Sequence, residues 1–75
     1  MKNNNEILSI LEAEFVRLIR AFNAFNHDSD YNRIYELMLL CNLMDIPFIW
    51  EWNLLDDGMN FITSITISGK RIEFD

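Results

Sequence analysis

The stretch from Pro47 to Asp75, PFIWEWNLLDDGMNFITSITISGKRIEFD, decides the fold. It predicts three strands, 47–55, 60–68 and 71–75, joined by two tight turns. Side chains alternate along a strand, so Phe48, Trp50, Trp52 and Leu54 share one face of the first. Asp57-Gly58 is a favoured two-residue type I′ turn. Centred there, pairing sets Leu54 opposite Phe61, Trp52 opposite Thr63, Trp50 opposite Ile65 and Phe48 opposite Ile67. Gly69-Lys70 suits a second two-residue turn, of type II′, which sets Ile67 against Ile72 and Ile65 against Phe74. Both turns bring the same apolar residues to one face, whereas a slip of one residue scatters them over two. The reverse face carries Glu51, Asn53, Ser64, Thr66, Ser68, Arg71 and Glu73, with Ile49 and Ile62 as exceptions, and reads as solvent-facing.

Upstream of the strands the hydrophobic period lengthens to that of helices. Ile7, Leu8, Leu11, Phe15, Leu18, Ile19, Phe22 and Phe25 predict a helix over 6–26, with Ser9, Glu12, Arg20 and Asn23 on its polar side. Asn3 or Asn5 can cap its first turn. A second helix is expected over 30–44, capped by Asp28, Ser29 or Asp30 and stopped by Pro47. Ile34, Leu37, Met38, Cys41 and Met44 form its stripe, but Tyr35, Leu39 and Leu43 lie off it. Such a helix is apolar nearly all round and needs cover on more than one side. Two amphipathic helices and one apolar sheet face make a single α+β domain over 1–75, in the order ααβββ. The tryptophans are then core rather than a binding platform.

Size bounds the function. The 75-residue chain is 51% apolar, a high fraction for a domain whose own core is marginal. Self-association through Tyr35, Leu39 and Leu43 is therefore one expectation, a homodimeric structural or regulatory module. A single cysteine, Cys41, forbids an internal disulfide and points to a reducing cytoplasm. Glu12, Glu14, Arg17 and Arg20 interrupt the first apolar stretch, which fits neither a signal peptide nor a membrane span.

The net charge of −6 is unevenly placed. Residues 28–57 hold seven acids against Arg33 alone, while five acids meet five bases elsewhere. A short link at Asp45-Ile46 makes the second helix and first strand antiparallel, so Asp56 and Asp57 return towards Asp28 and Asp30. Lys70 and Arg71 fall at the other tip, near Lys2 and Asp45. The expectation is an acidic pole of Asp28, Asp30, Asp56 and Asp57, joined by Tyr31 and Glu51, facing a basic protein partner. Tyrosines beside acids suit an arginine-rich surface. The bland account is that each acid merely caps a helix or makes a turn. Direct binding to nucleic acid or to a membrane is disfavoured by the charge.

Chemical motifs are few. Asp28-Ser29-Asp30-Tyr31-Asn32 echoes the start of a calcium loop, but Arg33 stands where glycine is needed and Leu39 where glutamate is. His27 has no second histidine or cysteine beside it for zinc, and is expected at the end of the first helix, where a cation is favoured. Gly58 and Gly69 belong to turns, leaving no phosphate loop. No catalytic residue, metal or cofactor is assigned. In size, acidity and lack of catalytic motifs the chain resembles small phage-encoded inhibitors, such as anti-CRISPR and related anti-defence proteins, and acidic immunity proteins. The resemblance is one of class, and no site residue is carried over. It implies a stoichiometric, non-enzymatic inhibitor of a cationic, nucleic-acid-handling bacterial enzyme.

Overall fold

A computed structural model describes residues 4–75. Helix α1 spans Asn4–Phe25 and α2 spans Asp28–Leu43; strands β1 (Phe48–Leu54), β2 (Asn60–Ile67) and β3 (Lys70–Glu73) follow. The strands form one antiparallel sheet in the order β1-β2-β3, and the α+β ααβββ arrangement is the expected one. Leu11, Phe15, Leu18, Ile19 and Phe22 of α1 meet Ile34 and Cys41 of α2 and Ile62, Ile65 and Ile67 of β2 in the core. Phe15 stacks on Phe48 at 4.6 Å between ring centroids, fixing α1 to β1.

The helix junctions differ from expectation. Asn26 adopts a left-handed backbone (φ 55) and its N–H donates to Phe22 O at 2.7 Å, which closes α1. Asn26 and His27 alone link the helices, so α2 starts at Asp28 rather than at residue 30. Its N-cap is His27, without a side-chain cap bond, and not Asp28, Ser29 or Asp30. Asp28 and Asp30 lie inside the first turn, where the helix dipole favours carboxylates. His27 lies just past the end of α1 and is at once the residue from which α2 starts. Asn5 lies within α1 rather than capping it; Asn3 and Lys2 are outside the described residues.

At the other end of α2, Ile46 N–H donates to Cys41 O (2.8 Å) and Asp45 N–H to Asn42 O (3.2 Å), with Asp45 at φ 57. This is the Schellman pattern, with aspartate where glycine is usual. It turns the chain so that Ile46 packs on the core and Pro47 leads into β1.

Both turns are corrected. The β1–β2 loop has three residues, Asp56, Asp57 and Gly58. Gly58 N–H donates to Leu55 O (2.9 Å), Leu55 N–H donates to Met59 O (2.8 Å), and Gly58 takes φ 86. That is a type I turn followed by a left-handed glycine. The pairs next to it are Leu54 with Asn60, Asn53 with Phe61 and Trp52 with Ile62. A bulge between Glu51 and Trp52 leaves Thr63 as the extra β2 residue, and the expected pairs of Trp50 with Ile65 and Phe48 with Ile67 resume beyond it. So Leu54 does not face Phe61, nor Trp52 Thr63. Ile62 turns into the core, and Leu54 is 72% exposed.

The β2–β3 turn is Ser68-Gly69, with φ 51 and 85, and therefore type I′. Ile65 pairs with Ile72, and Ile67 with Lys70. The expected register is off by two residues, which leaves every β3 side chain on its expected face. On the reverse face Ser64 is buried rather than solvent-facing, its hydroxyl donating to Glu51 Oε1 at 2.8 Å.

Candidate functional site

Two asparagines at the end of α1 organise the acidic end. Strand β3 is too short to cover β2 beyond Thr63, so the backbone of Ile62 and Asn60 faces an open edge. Asn23 fills the first gap: its Oδ1 accepts from Ile62 N–H (2.8 Å) and its Nδ2 donates to Ile62 O (3.0 Å). Asn26 repeats the arrangement on Asn60, at 3.0 and 2.7 Å. Spaced three apart on a helix, they match Asn60 and Ile62 spaced two apart on a strand. The sequence reading set Asn23 on the polar side of α1. The signal that could have found it was a pair of amides one turn apart beside a strand longer than its neighbour.

The Asn26–Asn60 bonds tie the inter-helix loop, which precedes Asp28 and Asp30, to the end of the hairpin that carries Asp56 and Asp57. Asp57 Oδ1 accepts from Met59 N–H at 3.0 Å, which stiffens the hairpin bend. Among the described residues, the recorded ion pairs are Arg17–Glu14, Lys70–Glu12, Arg71–Glu51 and Arg71–Glu73. None reaches these four aspartates.

Glu51 is separate from that end. It lies on the reverse face of the sheet, bonded to Ser64 and to Arg71 Nη1 at 2.7 Å. The Ser64 hydrogen bond, then the Arg71 hydrogen bond and charge, hold its carboxyl below the ordinary glutamate range. Tyr31, expected beside the acids at an interface, is instead part of the molecule's own packing. Tyr31 is half-buried in an aromatic cluster, stacked on Trp50 at 6.1 Å and set against Trp52 and Phe22. Tyr35 stacks on Tyr31 and stands in solvent. Trp50 and Trp52, 4.8 Å apart, are half-buried against the core.

Leu39 and Leu43 continue the exposed stripe of Tyr35 along α2, with Leu40 and Met44 beside it. Cys41 faces inward, and burial pushes its thiol up. Among the described residues no set of three His, Cys, Asp or Glu side chains is arranged to hold a metal ion, and no helix is long and apolar enough to cross a membrane. An open trough of about 840 Å³ runs between α1 and β3, lined by Ser9, Glu12, Val16, Arg20, Lys70 and Ile72 among others. Comparison with protein-family models, curated proteins and solved structures finds no match.

Proposed function

We propose that this chain is a non-enzymatic protein-binding module that inhibits a cationic, nucleic-acid-handling bacterial enzyme, as phage anti-defence proteins do. One observation carries the reading. Asp28, Asp30, Asp56 and Asp57 flank the two loops that Asn26 ties together and, among the described residues, none is in an ion pair, while Glu12, Glu14, Glu51 and Glu73 are each engaged by a cation. A groove that receives phosphates must be positive, and fixed carboxylates can occupy it in their place.

The test is capture of a partner from bacterial lysate by the tagged protein, with Asp28, Asp30, Asp56 and Asp57 all changed to Asn. Asparagine keeps the polar first turn of α2 and the acceptor at position 57. Affinity for a basic partner should fall on the order of tenfold or more. The same change at Glu14, Glu36, Glu73 and Asp75 should leave it within about twofold, since rim charges far from a contact act weakly. Equal losses in both sets would sink the acidic-end reading.

A second reading, self-association through α2, is favoured by a separate observation. Leu43 is 83%, Leu39 44% and Tyr35 43% exposed along one stripe, and a contiguous apolar stripe of this kind marks an interaction surface.

A further inference from the structure

The sheet has two outer edges, and the fold treats them differently. Strand β3 is short and carries Lys70, Arg71 and Glu73, which discourage another strand from pairing there. The part of β2 that β3 leaves open is closed by Asn23 and Asn26. Strand β1 receives no such protection. Ser68 N–H donates to Pro47 O and Leu55 N–H to Met59 O. In an antiparallel ladder those bonds fix the alternation. Residues 47, 49, 51, 53 and 55 therefore turn their backbone towards β2, and Phe48, Trp50, Trp52 and Leu54 turn theirs outward. The bulge residue Thr63 is on β2, so the alternation along β1 is unbroken. Among the described residues nothing pairs with those four N–H and C=O groups.

The exposed stripe of α2 flanks this edge. Tyr31 stacks on Trp50, and Tyr35 stacks on Tyr31, so the stripe of Tyr35, Leu39 and Leu43 begins beside β1 on the same side of the molecule. We infer that a second copy of this chain covers both features at once. Strand β1 pairs antiparallel with the partner's β1 to make a six-stranded sheet, and the two α2 helices pack beneath it. This deepens the self-association reading by naming the edge that fixes the geometry.

Two arguments select a second copy over an extended peptide. A peptide strand satisfies the β1 backbone but leaves Leu39 and Leu43 in water. The chain itself carries a helix stripe joined to the open strand through Tyr31 and Tyr35, and a two-fold axis matches each feature to its own copy. Charge then selects the antiparallel arrangement. Asp56 and Asp57 lie just past one end of β1, so antiparallel pairing sends the two acidic ends to opposite poles, whereas parallel pairing stacks them. Glu51, the one charge within β1, is already matched by Arg71 of its own chain.

Two measurements on the intact chain, each over a range of concentrations, test this. One is mass in solution; the other is residue-resolved amide hydrogen exchange. The expected result is twice the chain mass of 9.0 kDa, with protection of the Trp50 and Trp52 amides rising at least tenfold as the dimer forms. Leu43→Glu, at an exposed site that folding does not need, should remove the doubled mass and the protection together. A doubled mass in which these amides still exchange freely overturns the strand pairing and leaves dimerisation through α2. A monomer at every concentration overturns both.

Discussion

Asn23 and Asn26 act as two residues of a strand that the chain does not contain. Each amide supplies one donor and one acceptor to a β2 residue that β3 leaves unpaired. Ile62 is fully buried, so removing its partner leaves both backbone groups poorly solvated. Asn23→Ala is expected to cost about 1–3 kcal/mol, the usual cost of orphaned buried polar groups, read as a lower urea midpoint at unchanged slope. An equal loss from Ala at exposed Asn42 would mean the amide is not special. Glu51 offers a second residue-level test, through its lowered pKa. A carboxyl whose folded pKa is depressed contributes stability that is full above its unfolded pKa and is lost as pH falls through the folded one. For Glu51 that window lies below about 4.3, the ordinary glutamate value. A carboxyl-carbon titration should therefore find its midpoint below that value. Arg71→Gln should move the midpoint upward, though not fully, because the Ser64 bond remains and is the larger cause. A midpoint that ignores Arg71 would place the whole effect on Ser64.

At the scale of elements, the hairpin shows two one-residue departures that offset each other. A three-residue loop shifts the β1–β2 pairing by one, and the Thr63 bulge shifts it back. Deleting Thr63 alone removes the extra β2 residue and keeps every other pair: Ile62 stays opposite Trp52, Ser64 becomes its neighbour opposite Glu51, and Ile65 and Ile67 keep the core face. The expected outcome is retained cooperative unfolding with a well-dispersed spread of amide proton shifts. A collapsed spectrum would show that the bulge itself is needed for the fold. Ser68→Asn at the other turn should stabilise by roughly 0.5 kcal/mol, since asparagine tolerates the left-handed backbone better than serine and suits a type I′ turn before glycine. This contrast explains what could be read from the residues alone. Strand and helix order followed from hydrophobic period, and the β3 faces survived a misplaced turn because the error was an even number of residues. The bulge was not legible: Phe61-Ile62-Thr63 alternates equally well in either register until a helix is packed against it. The α2 cap was also missed, because Asp28, Ser29 and Asp30 all fit the cap, and the choice was made by the αL bend at Asn26. The antiparallel course of α2 and β1 was expected from the short link at Asp45-Ile46. The Asn26–Asn60 tie depended on side-chain placement that no local pattern specifies.

On the scale of the whole molecule, the acidic end and the β1 edge obey different physics and separate by ionic strength. The net charge of −6 makes two copies repel at low salt, since the screening length is about 30 Å at 0.01 M and about 8 Å at 0.15 M. The proposed dimer is held by backbone hydrogen bonds and apolar side chains, which salt does not weaken. Its association constant should therefore rise a few-fold as salt goes from about 0.01 to 0.15 M, then change little, because repulsion is already screened. Binding of a basic partner through Asp28, Asp30, Asp56 and Asp57 should fall over the same range, as steered, charge-led association does. Sedimentation of the protein alone measures the first trend, and capture from lysate in the same buffers measures the second. Opposite slopes would assign the two surfaces to two separate tasks, with an antiparallel dimer presenting one acidic end at each pole and therefore two partners per dimer. Parallel slopes, both falling with salt, would instead mean that ion pairs hold the copies together. The exposed Arg33 and Glu36 of α2, rather than Leu39 and Leu43, would then be the residues to change next.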